Sequence, residues 1–470
     1  MQNQINQVYN SGDSCAIYTG GSINIEENSY SLERYDELLL SQRSSDDGDN
    51  IEGSELKSSN TMKQYTEQRD LECIEQTNLA LTKGSNYWMT IFNTLNTLTG
   101  FGILSVPYAT SQGGWLSLIF LIGIALICFY TGILVQRCMD SDAQIKTYPD
   151  IGLKAFGRWG KALIAFLLYM ELFLLTTELL ISLGDNMEKL LSKNNFNIGG
   201  LHISSKKIYI LLGANIILPT TWLRSLKLLS YLSFTGVLGF SVVIISVLWA
   251  SIESVGFHEH GEIVNWRGFG TCIGLYTFCY GGHTILPTIY TDMKNKRLFP
   301  YALVVSFLFA TVCYSFMATI GYLAYGDNLK SQVTLSLPIG NISSKVAILT
   351  SVMIPLVKYG LMVTPIAEAI EVQFQMLHIW SILTVRTLIV LGTVIVALSV
   401  PFFGSVVALS GSFFTVGLSL ILPCVCYLKI FTNSHKRCFE LVLIITIIVL
   451  GVIVAIVGTY TSVKKIINAF

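Results

Sequence analysis

Residues 93–108 read NTLNTLTGFGILSVPY, and this stretch decides the fold. It lies in an apolar segment, roughly 87–110, which at ~1.5 Å per helical residue is long enough to cross a hydrocarbon layer of ~30 Å. Gly100 and Gly102 weaken a helix, and Pro107 removes a backbone donor one turn later. An interrupted helix inside a membrane survives only where protein or a water-filled cavity satisfies its freed N–H and C=O groups. The pattern is typical of a transport site.

A second apolar segment repeats the pattern. Residues 276–287 read YTFCYGGHTILP, so paired glycines are again followed by Ile-Leu and then by proline. Two interrupted spans in corresponding places of two halves indicate a secondary transporter built on an inverted repeat. The alternative interpretation is that Gly and Pro serve only close helix packing or a kink, as they do in many membrane helices.

The composition excludes an ordinary soluble domain. Of the 470 residues, 52% are hydrophobic and 13% are charged, which indicates a polytopic membrane protein. Residues 1–80 carry 15 acidic and 5 basic side chains, and they are too polar to bury the apolar surface that folding needs. We predict a disordered, acidic, cytosolic tail at 1–80 and a transmembrane domain at 85–470. The sequence YDEL at 35–38 and serines near acids are weak signals for sorting or signalling partners of the tail.

Eleven apolar segments are candidates for membrane spans. They cover roughly residues 87–110, 116–136, 162–190, 207–223, 228–250, 269–290, 300–325, 344–370, 379–400, 403–428 and 439–460. Lys and Arg are more frequent in the loops on one side, which places the N-terminus in the cytosol and the C-terminus on the lumenal side. On this map the sequon Asn341-Ile342-Ser343 is lumenal, which predicts glycosylation of Asn341.

Several short motifs occur in a fixed order along the chain. They are GILSVPY at 102–108, GGW at 113–115, TYPDIG at 147–152, LPTTWL at 218–223, FCYGGH at 278–283, IGYLAYG at 320–326 and PFFG at 401–404. In this order they resemble the amino acid/auxin permease family, and within it the plant vacuolar amino acid transporters of the Avt1 type. The resemblance implies an all-α polytopic fold of the LeuT/APC-like type, with two inverted five-helix repeats, broken first and sixth helices and an eleventh helix. It also implies transport of amino acids driven by a proton gradient.

The two interruptions provide complementary groups for a zwitterionic amino acid. A half-helix that starts near Gly102 presents free N–H groups and a positive dipole end to a carboxylate. The break from Cys279 to Gly282 leaves carbonyls for an ammonium group. The predicted substrate-binding residues are Thr99, Gly100, Gly102, Ile103, Ser105, Tyr280, Gly281, Gly282 and His283. An alternative for His283 is a neutral, hydrogen-bonded histidine that closes the break.

Three charged residues lie inside predicted spans. Glu171 and Glu178 are seven positions apart, on one face of the third span, and Lys358 lies near the middle of the eighth. Charges at this depth are costly, so they usually face the bundle interior and pair. The resemblance implies that the third and eighth helices flank the site. We expect one of the two glutamates to exchange the coupled proton and Lys358 to set its affinity, in the place that a sodium ion takes in relatives; the alternative is a permanent structural ion pair.

The rest of the sequence contains few motifs that indicate chemistry. No phosphate loop, nucleophile elbow or metal motif is present, so we expect neither an enzyme nor a cofactor or metal, with a proton gradient as the driving force. A channel is disfavoured because the polar residues are grouped at two helix breaks. The sequence HEH at 258–260 is a candidate lumenal pH sensor or weak metal site, and the alternative is a solvated loop.

The sequence thus predicts a proton-coupled transporter whose partners are an amino acid substrate, protons and the lipid bilayer, with no nucleic acid. Its predicted location is the vacuolar membrane, where it exchanges cytosolic amino acids for lumenal protons. Two alternatives stay open at this point. One is a symporter that exports amino acids from the vacuole or imports them at the plasma membrane. The other is an amino acid receptor that signals through the tail, which would lose its output on deletion of residues 1–80.

Overall fold

The computed structural model describes residues 84–469 apart from 101, 192–195, 199–200, 223–227, 258–260, 376–377, 401 and 433–437. The predicted tail at 1–80, with its YDEL sequence, and the HEH sequence at 258–260 lie outside the described residues.

The described chain is almost entirely helical. Its first half contains α1 (Tyr87–Leu98), α2 (Gly102–Gly113), α3 (Ser117–Asp140), α4 (Tyr148–Leu191), α5 (Ser205–Thr221) and α6 (Leu228–Ala250), with a π-helical turn at Ser251–Val255. Between α4 and α5, the short strands β1 (Phe196–Ile198) and β2 (Leu201–Ile203) pair antiparallel, with Phe196 opposite Ile203. The all-α prediction omits this hairpin.

The second half contains eight further helices. They are α7 (Phe269–Cys279), α8 (Leu286–Asp292), α9 (Phe299–Tyr325), α10 (Ile342–Gln373), α11 (Ile379–Ser399), α12 (Phe403–Leu409), α13 (Leu422–Ile430) and α14 (Cys438–Ala469). Short 3₁₀ turns lie at Lys296–Leu298, Gly326–Asn328 and Val333–Leu335. Between α12 and α13 the chain forms two π-helical segments, π1 (Ser410–Thr415) and π2 (Gly417–Ile421).

Eight helical segments among the described residues are long and apolar enough to cross a membrane. They are α3, α4, residues 236–253 around the end of α6, residues 296–328 around α9, α10, α11, residues 403–430 and α14. The three other predicted spans correspond to α5, which has 17 residues, and to the pairs α1–α2 and α7–α8. The protein is therefore a multi-pass integral membrane protein.

Both predicted interruptions are confirmed. α1 ends at Leu98 and α2 begins at Gly102, while α7 ends at Cys279 and α8 begins only at Leu286. α2 packs against α7, and α9 packs against both α1 and α2. α10 packs against α4 and α6, so that the two interruptions, α4 and α10 surround a common region.

The third predicted span is the second of two helical stretches that make up α4. The stretches meet at Gly157, whose φ of 70° lies in the left-handed region that glycine adopts without strain, and the stretch after it agrees with the span predicted near residues 162–190. Asp150 caps the start of the first stretch, because its carboxylate accepts from the backbone N–H of Thr147 at 3.0 Å and from the Thr147 hydroxyl at 2.6 Å.

Candidate functional site

A cavity of about 70 Å³ lies where the two interrupted segments meet. Residues of α1, α2, α4, α7, α10 and π1 line it together with Gly100 and residues of the α7–α8 break. Its polar lining residues are Asn96, Thr97, Gly100, Gly102, Glu171, Gly281, Thr284, Lys358 and Thr415. Its apolar lining residues are Leu98, Leu172, Leu175, Leu179, Phe278, Ile285 and Met362. One small space thus combines backbone at helix ends, two side chains that can carry charge and an apolar wall.

The two breaks touch each other directly. A Cβ atom at position 102 would lie 2.8 Å from the Cys279 sulfur and 3.1 Å from its Cα, so glycine is required here for close approach. The Tyr314 hydroxyl on α9 lies within hydrogen-bond distance of the Leu98 carbonyl and 3.1 Å from the Cys279 carbonyl. Tyr314 therefore holds the carboxyl ends of α1 and α7 together.

On the α1–α2 side, Gly100 and Gly102 line the cavity, while three other predicted residues do not. The hydroxyl of Thr99 donates to the Leu95 carbonyl at 2.5 Å, and that of Ser105 donates to the Gly102 carbonyl at 2.9 Å. Both bonds stay within one helical turn, and Ile103 is buried in the core. Roles for Thr99, Ile103 and Ser105 in substrate binding stay predictions.

On the α7–α8 side, Gly281 lines the cavity. Tyr280 and Gly282 are not among its lining residues: the Tyr280 ring stacks against Phe307, and a Cβ at Gly282 would lie 3.2 Å from Thr97. The backbone carbonyls of Tyr280 and Gly281 accept no hydrogen bond from the described part of the chain. Both carbonyls are therefore free acceptors within the break, and binding of an ammonium group by them stays a prediction.

His283 points to α3 instead of to the cavity. Its Nε2 lies 2.9 Å from the Cys128 carbonyl and 2.9 Å from the Thr131 hydroxyl. Because a carbonyl only accepts, Nε2 carries the proton, and Nδ1 has no partner among the described residues. The imidazole is buried and ties the break to α3, and a role in substrate binding stays a prediction.

The two glutamates of α4 have different surroundings. Glu171 lines the cavity and accepts a hydrogen bond of 2.7 Å from the Thr415 hydroxyl on π1. Glu178 is 1% exposed, lies outside the cavity lining, and neither of its carboxylate oxygens has a hydrogen-bond partner among the described residues. Glu171 is thus the carboxyl group that a bound solute can reach.

Lys358 reaches the cavity from the opposite side, on α10. Its ammonium group donates to the Asn96 carbonyl at 3.3 Å, near the end of α1. A Cβ at Gly100 would lie 4.0 Å from this nitrogen. Lys358 is 9% exposed and forms no ion pair within the described ranges, so the glutamates of α4 do not neutralise it by direct contact.

Arg386, a buried charged residue elsewhere in the fold, has a direct ion-pair partner, whereas Lys358 has none in the described part of the chain. Arg386 on α11 is 1% exposed, and its Nε donates to the Glu371 carboxylate on α10 at 2.8 Å. Its Nη1 donates to the Thr221 carbonyl at the end of α5 at 2.7 Å. This arrangement satisfies the charge of the guanidinium inside the protein. The charges at the cavity lack such a direct match.

The comparison with known proteins identifies the family. The family model described as transmembrane amino acid transporter protein matches residues 83–464. This chain belongs to that family. Two curated relatives are amino acid transporters AVT1I and AVT1J of Arabidopsis thaliana, each 42% identical to this chain over 82% of its length. The matched region covers 96% of AVT1I and 92% of AVT1J. Amino acid transporter AVT1C of the same plant is 38% identical, over 83% of this chain and 72% of its own length.

Several residues at the cavity and the helix breaks were not predicted from the sequence. They are Asn96, Thr284, Tyr314 and Thr415, and none is charged. Asn96 offered a signal, since an amide in an apolar span needs a partner, and its side-chain oxygen is buried without one among the described residues. Thr415 offered none, because threonine is common in helices of this type. The sequon residue Asn341 immediately precedes α10, and its glycosylation stays a prediction.

Proposed function

We propose that this protein is a proton-coupled secondary transporter that exchanges cytosolic amino acids for protons of the vacuolar lumen. The observation that carries the proposal is the cavity at the meeting of two helix breaks, which holds Glu171 and Lys358 without an ion pair. A buried charge without direct compensation is costly and is typical of a substrate or proton pathway. A permanent structural pair would resemble Arg386 and Glu371 instead.

The substrate is held by backbone groups at both breaks. The first turn of α2, which starts at Gly102, has N–H groups without intrahelical partners, and these favour the carboxylate of an amino acid. The free carbonyls of Tyr280 and Gly281 favour its ammonium group. Leu175, Phe278 and other apolar lining residues face the substrate side chain. The names of the relatives, all amino acid transporters, support this substrate class.

Glu171 is the proton carrier in this proposal. Its carboxyl group opens to the cavity and is polarised by one hydroxyl, that of Thr415, so it gains and loses a proton without unpairing a salt bridge. Lys358 places a positive charge in the same space, which favours the ionised form of Glu171 and the carboxylate of the substrate. Proton and substrate therefore influence each other through one small volume.

The membrane arrangement is part of the same proposal. Two inverted five-helix repeats, followed by α14 as the eleventh span, place the two interrupted spans at equivalent positions, and their direct contact at Gly102 and Cys279 supports this arrangement. The N-terminus is cytosolic and the C-terminus lumenal. The vacuolar location rests on the resemblance to transporters of the Avt1 type.

Purified full-length protein in proteoliposomes tests this function. Each of the twenty ¹⁴C-labelled proteinogenic amino acids is offered without sodium to vesicles that are acidic inside, and we expect at least one to accumulate and to leave when an ionophore collapses the gradient. Accumulation that needs an acidic outside would replace antiport by symport. Saturable binding without any gradient-driven flux would overturn the transport proposal in favour of a receptor.

A further inference from the structure

Thr415 contacts both functional parts of the site at once. Its hydroxyl donates to the Glu171 carboxylate at 2.7 Å. Its methyl carbon faces the α7–α8 break so closely that a Cβ at Gly281 would lie 2.5 Å from it. A single short side chain thus links the carboxyl group of α4 to the backbone next to the free carbonyls of Tyr280 and Gly281.

The segment that carries Thr415 is itself unusual. π1 is a π-helical turn, a form that is rare and occurs often at functional sites. Its first residue, Ser410, lies beside the Glu178 carboxyl group. At the second position of π1, Gly411 packs on the backbone of Gly274 in α7. π1 therefore lies between α4 and α7 and contacts both.

We propose that Thr415 is a positioning residue that transmits protonation of Glu171 to the α7–α8 break of the substrate site. The inference rests on the proposed function and deepens it, because it names the group through which proton and substrate are coupled.

The coupling follows from hydrogen-bond strength. While Glu171 is ionised, the bond from Thr415 to its carboxylate is charge-assisted and fixes the threonine side chain with its methyl against Gly281. When a proton from the aqueous phase binds the carboxylate, an O–H bond forms and the neutral acid becomes a weaker acceptor. Threonine has two accessible helical rotamers, so its methyl then leaves Gly281 and the break gains room. Loss of the proton to water restores the first state.

Other ionisable groups also face Glu171. Glu178 lies two turns further along α4 and Tyr148 lies at the start of the same helix, where its hydroxyl donates to the Leu418 carbonyl. Lys358 faces it across the cavity from α10. Thr415 alone among these neighbours both donates to the Glu171 carboxylate and packs on Gly281.

Two substitutions separate the two contacts. Thr415→Val keeps the methyl and removes the donor, whereas Thr415→Ser keeps the donor and removes the methyl. Thr446→Val, on an exposed face of α14, is the matched control. The assay measures exchange of a labelled amino acid in proteoliposomes with equal pH on both sides, at pH 5.5 and at pH 7.5. The substrate is the amino acid that the wild type exchanges fastest, and the measured quantity is its KM at each pH.

We expect the wild-type KM to differ about tenfold between the two pH values, within the usual range of coupling between sites. In both Thr415 variants the two KM values should differ less than about twofold. In the Thr446→Val control they should differ as much as in the wild type. In gradient-driven uptake, the pH midpoint should rise by about one unit in Thr415→Val only, because its carboxylate loses a hydrogen bond to the charged form. Thermal unfolding midpoints show whether each variant is folded.

Wild-type pH dependence of KM in folded Thr415→Ser would overturn the inference. So would a wild-type KM that is equal at both pH values. Failure of the proposed function has a different outcome, namely no gradient-driven accumulation, whatever KM does. A pH-dependent KM that needs Thr415, without gradient-driven flux, would preserve the link between Glu171 and the break and remove the transport proposal.

Discussion

At the scale of single residues, Gly100 and Gly102 are two positions apart but have different surroundings. A Cβ at Gly100 meets only ordinary contacts, 3.8 Å from the Thr97 carbonyl oxygen and 4.0 Å from the Lys358 nitrogen, so it fits the fold and projects into the cavity. We predict that Gly100→Ala keeps the unfolding temperature and raises the KM for amino acid exchange about tenfold, since one methyl group in a close-fitting site has an effect of this size.

The control for this prediction is Gly123→Ala on α3, where an added Cβ meets nothing within 4 Å. It should leave both KM and unfolding temperature unchanged. An unchanged KM in Gly100→Ala would place the substrate away from the end of α1.

Gly102 is needed for the fold itself. Its Cβ would lie 2.8 Å from the Cys279 sulfur, so Gly102→Ala should destabilise the protein by about 1–3 kcal/mol, as overpacking does. Removing the sulfur should relieve part of this clash, and the double variant Gly102→Ala/Cys279→Ala should lose less stability than the sum of the single variants. Thermal unfolding in detergent measures all three. If the stability losses of the two single variants add up to that of the double variant, the two breaks are not in tight steric contact.

These residues show what a sequence can reveal about such a site. Glu171 and Lys358 are recognisable because charges stand out in apolar segments, and the structure brings both to one cavity. Gly102 is recognisable as a helix break, but its contact with Cys279 depends on packing across 177 positions, which local composition does not encode. The role of Thr415 could not be predicted either, because its contacts with Glu171 and Gly281 also depend on packing between distant parts of the chain.

At the scale of helices and segments, the interruptions were predictable and the irregular helices were not. The breaks after α1 and α7 are marked by glycine and proline, whose backbone effects are local. The π1 and π2 segments have no such marker, because a π turn inserts one residue while the helix continues. The helical stretch of α4 before Gly157 was not predicted, because its turns carry charges and the glycine separates them from the apolar span.

The link between α5, α10 and α11 leads to a prediction about stability. Arg386→Leu leaves Glu371 buried without its guanidinium partner, which should lower the free energy of unfolding by about 3–5 kcal/mol. The double variant Arg386→Leu/Glu371→Leu should recover part of this loss, because the buried carboxylate that lost the guanidinium is then removed as well. Thermal unfolding midpoints give the comparison.

The matched control is Arg137→Leu, which removes an ion pair with Glu440 whose arginine side chain is 46% exposed. Solvent screens this pair, so the loss should stay below about 1 kcal/mol. Equal losses in Arg137→Leu and Arg386→Leu would contradict the role assigned to burial.

At the scale of the whole molecule, the described buried ionisable side chains have different surroundings. Arg386 and Glu371 are satisfied by each other and hold helices together, whereas Glu171 and Lys358 share a cavity without contact. Glu178 is also buried without an ion pair among the described residues, but it lies outside the cavity lining. The cavity differs in that it holds two ionisable groups where a solute can change their electrostatic energy. This distribution, and not the fold alone, supports a transport cycle.

The last prediction tests that cycle through the carboxyl groups of α4. Glu171→Gln keeps an oxygen that accepts from Thr415 but cannot exchange a proton, so exchange of amino acid at equal pH should persist while accumulation driven by a pH gradient is lost. Glu178→Gln lies outside the cavity lining and should have the smaller effect, and Glu368→Gln, on an exposed face of α10, serves as the control. Flux of labelled amino acid against imposed pH gradients measures all three. Unchanged pH dependence in both α4 variants would remove the carboxyl groups from the coupling step and leave the two helix breaks as a substrate site alone.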